Sequence, residues 1–182
     1  LIHRQMTSLD SILECLKSGE TIAYPTEGVW GLGCDPTNNE AIKELLELKG
    51  RSKDKGLILI GSKIEHFIDF AHVEEYKNKL MTKWPGPHTW LVPPKKDISE
   101  YIIGNNDKVA LRLTDHALVC SICNSFGGPI VSTSANKEGL PTLENSKEIL
   151  ANFPHVKCLE GRLGGQDKPS TIQDVITDSI IR

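Results

Sequence analysis

Four segments of the chain combine glycine, hydroxyl and basic residues in ways that suit the binding of anions. The densest is Lys49-Gly-Arg51-Ser-Lys53-Asp-Lys55-Gly56, with four cations in seven residues. Like charges packed this closely repel unless a polyanion, such as a triphosphate or an RNA backbone, relieves them. Cations are also common at helix C-termini, where each gains only about 0.3–1 kcal/mol. The charge density here favours the ligand role. No GxxxxGK[ST] run is present, so phosphates would be held differently from those in Walker-type enzymes.

The second segment is Tyr24-Pro-Thr26-Glu27, followed by Gly31-Leu-Gly33-Cys-Asp35. Thr26 offers a hydroxyl at a strand end, and the glycines permit either close approach of backbone amides to a ligand or a tight turn. In the third, Val109-Ala-Leu-Arg112-Leu-Thr-Asp115-His116, an arginine ends an apolar run. It suits a buried carboxylate partner, for which Asp115 is the candidate, or a ligand carboxylate gripped by its fork. His116 fits helix capping or packing better than catalysis. The fourth segment, Ser132-Thr-Ser134-Ala-Asn136 with Gly139 beyond, carries three hydroxyls and an amide. These can serve phosphate oxygens, a base, or turns and caps.

The elements that must position these groups follow from periodicity. A helix is predicted over residues 8–18, with Ser8 or Asp10 as cap and Gly19 as stop. A second starts from Asn38 or Asn39, turns Ile42, Leu45, Leu46 and Leu48 inward and ends near Gly50. Residues 21–24 and 57–60 read as buried strands, joined by strands near 89–92, 109–112 and 130–132. Further helices are predicted over 73–84, 117–126 and 146–153, and two short strands around a turn over 170–181. Segments 104–108 and 161–168 read as mobile loops. The alternation predicts an α/β fold with a mixed or parallel sheet covered on both faces.

Composition narrows the classes. The chain has 182 residues, 38% hydrophobic and 25% charged, long enough for one compact domain over 1–182. No apolar run approaches bilayer length, which argues against a membrane span, and residues 1–6 lack a secretory signal pattern. A first residue other than Met suggests a trimmed N-terminus. A net charge of −3 argues against nucleic-acid binding through bulk charge, so only local clusters count. Five scattered cysteines fit a reducing cytoplasm. The lone Cys120-x-x-Cys123 pair reads as two small residues on one buried helix face rather than a redox or zinc site.

Taken together, in this order and spacing, the four segments resemble the YrdC-like family of threonylcarbamoyl-AMP synthases in its short bacterial form. The likeness takes in Trp84-Pro-Gly-Pro-His-Thr89 and runs to Pro169-Ser-Thr171-Ile. It implies a twisted, mixed parallel and antiparallel β-sheet flanked by helices, with a large, open, concave and positively lined cavity. It also implies that L-threonine, bicarbonate and ATP with Mg2+ give L-threonylcarbamoyladenylate and pyrophosphate. The product would supply adenosine 37 of ANN-decoding tRNAs through a separate transferase complex. By motif, Thr26 and Arg112 match the family's threonine-binding residues. Lys49, Arg51 and Lys55 match its nucleotide-binding basic motif, with Lys49 and Arg51 also candidates for RNA. Thr89, Ser132, Ser134, Asn136, Ser170 and Thr171 fall where it contacts ATP or the adenylate. The resemblance assigns no acid, base or nucleophile. Ser52 and Glu138 depart from the common pattern, standing where many members have proline and a small residue. The rival reading is a double-stranded RNA or tRNA-binding module, with Lys49, Arg51, Lys53 and Lys55 along a concave face. An aromatic content of 5% argues against a platform for stacking single-stranded bases.

Overall fold

The computed structural model describes residues 7–166 and 168–182; the N-terminal hexapeptide read above lies outside them. Helix α1 (Leu9–Lys17) starts where the Ser8 hydroxyl accepts the Ser11 amide at 3.2 Å, and it buries Ile12, Cys15 and Leu16. Strands β1 (Ile22–Pro25) and β2 (Trp30–Gly33) form an antiparallel hairpin. Helix α2 (Asn39–Lys49) is capped by the Asn38 side chain and stops at Gly50, whose φ of 61° is the left-handed value expected after a helix. Then follow β3 (Ile58–Gly61), α3 (Lys77–Leu80), β4 (His88–Val92), α4 (Glu100–Ile103) and β5 (Val109–Leu113). The chain continues through α5 (Ala117–Phe126), β6 (Ile130–Ser134), α6 (Ser146–Asn152), β7 (Lys157–Cys158) and β8 (Thr171–Asp174).

Among the described residues the strands join in one eight-stranded sheet, ordered β7-β1-β2-β6-β3-β5-β4-β8. The β1–β7, β3–β5 and β4–β8 pairs are parallel and the others antiparallel, so the sheet is mixed. The predicted 73–84 helix shrinks to the single turn of α3. Its start at Tyr76 has no side-chain cap, and the residues before it are tied to the segment just after β4 by an Ala71–Pro94 bridge and a His72 N–Pro93 O bond of 2.9 Å. Sequence reading missed β2, α4 and β7; all three are four residues or shorter, too brief for periodicity to register.

Side-chain alternation divides the sheet into two faces. Leu59, Trp90, Leu111 and Val131 point to one face, where α2, α4 and α6 contribute Ile42, Leu45, Ile102 and Ile149 to the larger core. Ile22, Tyr24, Ile60 and Ile130 point to the other, where α1 and α5 cover one end with Ile12, Leu16, Val119 and Ile122. Each fully buried Leu or Ile contributes about 1.5–3 kcal/mol. Where α1 and α5 stop, that same face is left open. In-register neighbours Thr89, Arg112 and Ile60 make one cross-strand row there; Leu91, Ala110, Ile58 and Ser132 make the next.

Two packing details fix the site's frame. Gly33 serves neither a turn nor a ligand approach: it lies within β2, paired with Ile22, where a methyl group would meet the Val131 carbonyl oxygen and lie 2.8 Å from the Tyr24 hydroxyl. The last residue of α2, Lys49, is only 1% exposed. Its ammonium donates to the Ser134 carbonyl, to the Asn136 carbonyl at 2.8 Å and to Asn136 Oδ1 at 3.2 Å, which pins the loop leaving β6. Burial first, then repulsion from Arg51, lowers its pKa to about 8, so at neutral pH it remains charged and keeps all three donors.

Two outcomes follow from these contacts. Gly33→Ala should lose about 1–3 kcal/mol of stability, because the overpacked neighbour is backbone that cannot swing away; an unchanged urea midpoint would refute the close-packing role. Lys49→Met should cost about 1–3 kcal/mol for each carbonyl stranded without a donor. In NMR spectra its largest amide shifts should fall in residues 134–143, and shifts spread evenly over the chain would contradict the clamp.

Candidate active site

The open part of the sheet floors a cavity of about 640 Å³, within the range usual for small-molecule sites. Its floor is apolar, from Ile58, Ile60, Leu91, Ala110 and Ile172. Its walls are cationic, with Arg51, Lys55, Lys108, Arg112, Lys168 and Arg182 all contributing. Ser132, Ser134, Ser170 and the turn at Thr26 and Glu27 supply hydroxyl and carboxylate groups around the rim.

Arg112 rises from β5 between Thr89 and Ile60. Its Nη2 pairs with Glu27, whose other oxygen accepts the Thr114 hydroxyl at 2.5 Å. The expected carboxylate partner, Asp115, is exposed; Glu27 takes the role instead, because the β1–β2 turn lies against the end of β5. Glu27 and Arg112 side chains are only 12% and 13% exposed, so each is the other's main compensation for lost hydration. Arg112 Nε is buried without an acceptor, while the residue lines the cavity. Thr26 is buried and donates its hydroxyl to the Val29 carbonyl at 2.7 Å. Segment 161–166, read as mobile, is fastened over this turn: Gly164 N donates to Thr26 O at 3.0 Å and Gln166 N to Glu27 O at 2.8 Å.

The basic cluster divides by geometry. Arg51 and Lys55 line the cavity, and both pair with Glu138, Arg51 Nη1 at 3.3 Å from Glu138 Oε2. Arg51 Nη2 also donates to Gly56 O at 3.1 Å, and its Nε is buried without an acceptor. Lys53 is exposed on a 3-10 turn (Lys53–Lys55) that begins where the Ser52 hydroxyl accepts the Asp54 amide. Lys49, expected beside them at a phosphate or RNA, is instead buried here, with three oxygen partners around its ammonium. The four cations therefore do not share one exposed face: Lys49 is buried, Arg51 and Lys55 line the cavity and Lys53 is exposed.

The hydroxyl segment is ordered around that buried lysine. Ser134 Oγ donates to Asn136 Oδ1 at 2.6 Å, and Asn136 Nδ2 donates to Leu140 O at 2.7 Å. Ser132 and Ser134 line the cavity, whereas Asn136 sits behind them, shaping the loop. Thr89 is fully buried and shares a 2.9 Å hydrogen bond with Ser170, placing that hydroxyl at the rim. Thr171 is partly buried at the start of β8.

Arg182 is the group that sequence reading missed. Of the two short strands expected in the tail, β8 forms and the return segment meets it through an isolated Gln173–Ile180 bridge, with Ile181 N bonded to Ile172 O at 2.8 Å and Ile172 N to Arg182 O at 2.9 Å. This brings the Arg182 guanidinium to Ser170, 3.3 Å from its carbonyl and 3.4 Å from its hydroxyl. Burial, then Arg112 and Arg51, pushes its pKa down, which marks three guanidiniums converging on one space. The available signal was the one that singled out Arg112, an arginine closing an apolar run, here after Ile180 and Ile181.

The remaining candidates lie elsewhere. His116 Nε2 faces the Arg162 carbonyl at 3.0 Å. Cys123 is buried and its thiol pushed up to about 12 by burial, and Cys120 is also raised by burial, so neither is a ready thiolate. Among the described residues no cluster of three or more His, Cys, Asp or Glu side chains is arranged to hold a metal ion, and no helix is long and apolar enough to cross a membrane.

Known proteins share this architecture. The chain is 44% identical over 183 residues to the threonylcarbamoyl-AMP synthase of Photobacterium profundum, covering 97% of this chain and 99% of that one. P. abyssi Sua5 complexed with L-threonine superposes with a TM-score of 0.79 at 27% identity, over 91% of this chain and 50% of that one, so the present chain spans about half of that protein. E. coli YciO shares the fold, with a TM-score of 0.82 at 20% identity over 96% of this chain and 87% of that one. The family model described as "Telomere recombination", Sua5/YciO/YrdC, matches residues 14–182, and the chain belongs to that family.

Proposed function

We propose that this chain is a threonylcarbamoyl-AMP synthase, a nucleotidyltransferase that joins L-threonine, bicarbonate and ATP into L-threonylcarbamoyladenylate with release of pyrophosphate. The observation that carries the reading is the convergence of Arg51, Arg112 and Arg182 on one apolar-floored cavity rimmed by serine hydroxyls. A site of this kind suits a substrate set with a carboxylate at one end and a polyphosphate at the other.

The neutral amine of threonine first condenses with bicarbonate, forming the carbamate and losing water. A carbamate oxygen then attacks the α-phosphorus of ATP, and the bond to the bridging oxygen breaks as pyrophosphate leaves. This step calls for alignment and charge neutralisation more than for a covalent nucleophile. Arg112, paired with Glu27, presents its guanidinium in the cavity to the threonine carboxylate, next to the Thr26 turn. Arg51, Lys55 and Arg182 neutralise phosphate charge, with Ser132, Ser134 and Ser170 as hydrogen-bonding groups nearby. Mg2+ enters on the phosphates of ATP as part of that substrate, since Glu27, the carboxylate lining the cavity among the described residues, is engaged by Arg112. The product serves threonylcarbamoylation of adenosine 37 in tRNA through a separate transferase complex, in the cytoplasm.

Pyrophosphate release from ATP should require both L-threonine and bicarbonate; release that ignores threonine would overturn the reading. Arg112→Lys keeps a charge for Glu27 but loses the planar fork. Its KM for threonine should rise at least about tenfold, the equivalent of about 1.4 kcal/mol, while ATP binding changes little. Equal losses for the two substrates would remove Arg112 from the threonine site.

A further inference from the structure

One carboxylate paired with cavity cations has no part in the reaction just described. Glu138 follows the hydroxyl segment of β6 and reaches back to Arg51 and Lys55, the two wall cations of the α2–β3 turn. The loop that carries it is fixed through its backbone. Glu138 N donates to Lys49 O at 2.8 Å, Leu140 N to Lys137 O at 3.0 Å and Leu143 N to Ala135 O at 2.9 Å. Only the Glu138 side chain needs to rotate for the carboxylate to leave its partners. That side chain is 32% exposed, so water can take it up on release. Arg51 meanwhile keeps its bond to Gly56 O and stays aimed at the cavity. The Lys55 hydrogen bond, foremost, holds the Glu138 carboxyl below the usual carboxylate range, so it is charged at neutral pH.

We propose that Glu138 is an internal counter-anion of the phosphate subsite: it occupies Arg51 and Lys55 in the empty enzyme, and a polyphosphate must displace it to bind. The inference rests on the nucleotide reading above and concerns what sets affinity within it. A single carboxylate charge yields readily to a triphosphate, which carries several, but competes closely with a lone carboxylate or phosphate. Glu138 thereby weakens all ligands that use Arg51 and Lys55 and leaves only the highly charged ones bound. Contacts made elsewhere in the cavity are unaffected by it.

Glu138→Gln tests this, because the amide keeps the shape and still accepts a hydrogen bond while removing the charge. Binding of a non-hydrolysable ATP analogue, inorganic tripolyphosphate and adenosine would be measured by calorimetry at fixed ionic strength. The variant should bind the first two about three- to tenfold more tightly, as expected for loss of one partly exposed competing ion-pair set, with a steeper loss of affinity as salt is raised. Adenosine affinity should be unchanged. Equal or weaker polyphosphate binding would overturn the proposal and make Glu138 a scaffold for the two cations. A gain shared by adenosine would also overturn it, since the pocket itself would have changed. Failure of the unsubstituted protein to bind either polyphosphate would be a different result, overturning the nucleotide reading and this inference with it.

Discussion

Convergence of positive charge on one water-accessible cavity is the constraint around which this structure is arranged. Arg51, Arg112 and Arg182 come from three distant parts of the chain, and their mutual repulsion is felt in the lowered pKa of Arg182. Like charges at such spacing destabilise a fold unless something offsets them. The offset comes from two carboxylates, Glu27 and Glu138, which sit on turns and loops at the sheet's open end. A single row of the sheet delivers Arg112 between Thr89 and Ile60, so the cationic wall and the apolar floor follow from the same strand alternation that builds the two cores.

The loops around the cavity depend on that frame in turn. Lys49 gives up its surface to hold the backbone of Ser134 and Asn136, which fixes where the Ser134 hydroxyl stands in the cavity. Burying an ammonium is costly unless its donors are satisfied, and here all three acceptors belong to one loop. Position and stability are therefore coupled at this point: the loop supplies what the buried lysine needs, and the lysine keeps the loop from closing over or leaving the cavity. Segment 161–166 is tied to the Thr26–Glu27 turn in a similar way, by two backbone bonds.

Much of this was legible in the sequence. Helix α1 with its Ser8 cap, α2 with its Gly50 stop and the buried strand β3 have strong local signals, and the structure has them within a residue or two of expectation. The segments holding Thr26, Arg51, Lys55, Arg112, Ser132, Ser134 and Ser170 do meet at one cavity. Charge density along the chain could not separate Lys49 from its neighbours, because which way a lysine points depends on where a loop 85 residues later passes. The partner of Arg112 was mistaken for the same reason. Asp115 is near in sequence, whereas Glu27 is near only after β1 and β5 have taken their places in the sheet. Arg182 lay outside the motifs altogether, and only the final hairpin carries it to Ser170.

The two carboxylates answer the same charge problem in physically different ways. Glu27 is 12% exposed and holds Arg112 and the Thr114 hydroxyl at once, so releasing it would leave a buried charge uncompensated, at a cost of about 3–5 kcal/mol. It is suited to remain in place while a ligand meets Arg112 from the cavity. Glu138 is nearly three times as exposed, and its cations reach it from a turn rather than from the sheet, so release costs little more than the ion pairs themselves. One end of the cavity is thus permanently organised around a fixed arginine, while the other is a pair of cations whose counter-anion is exchangeable. That asymmetry matches the demands of a small carboxylate, which must be oriented, and of a polyphosphate, which must arrive with its charge and depart with it.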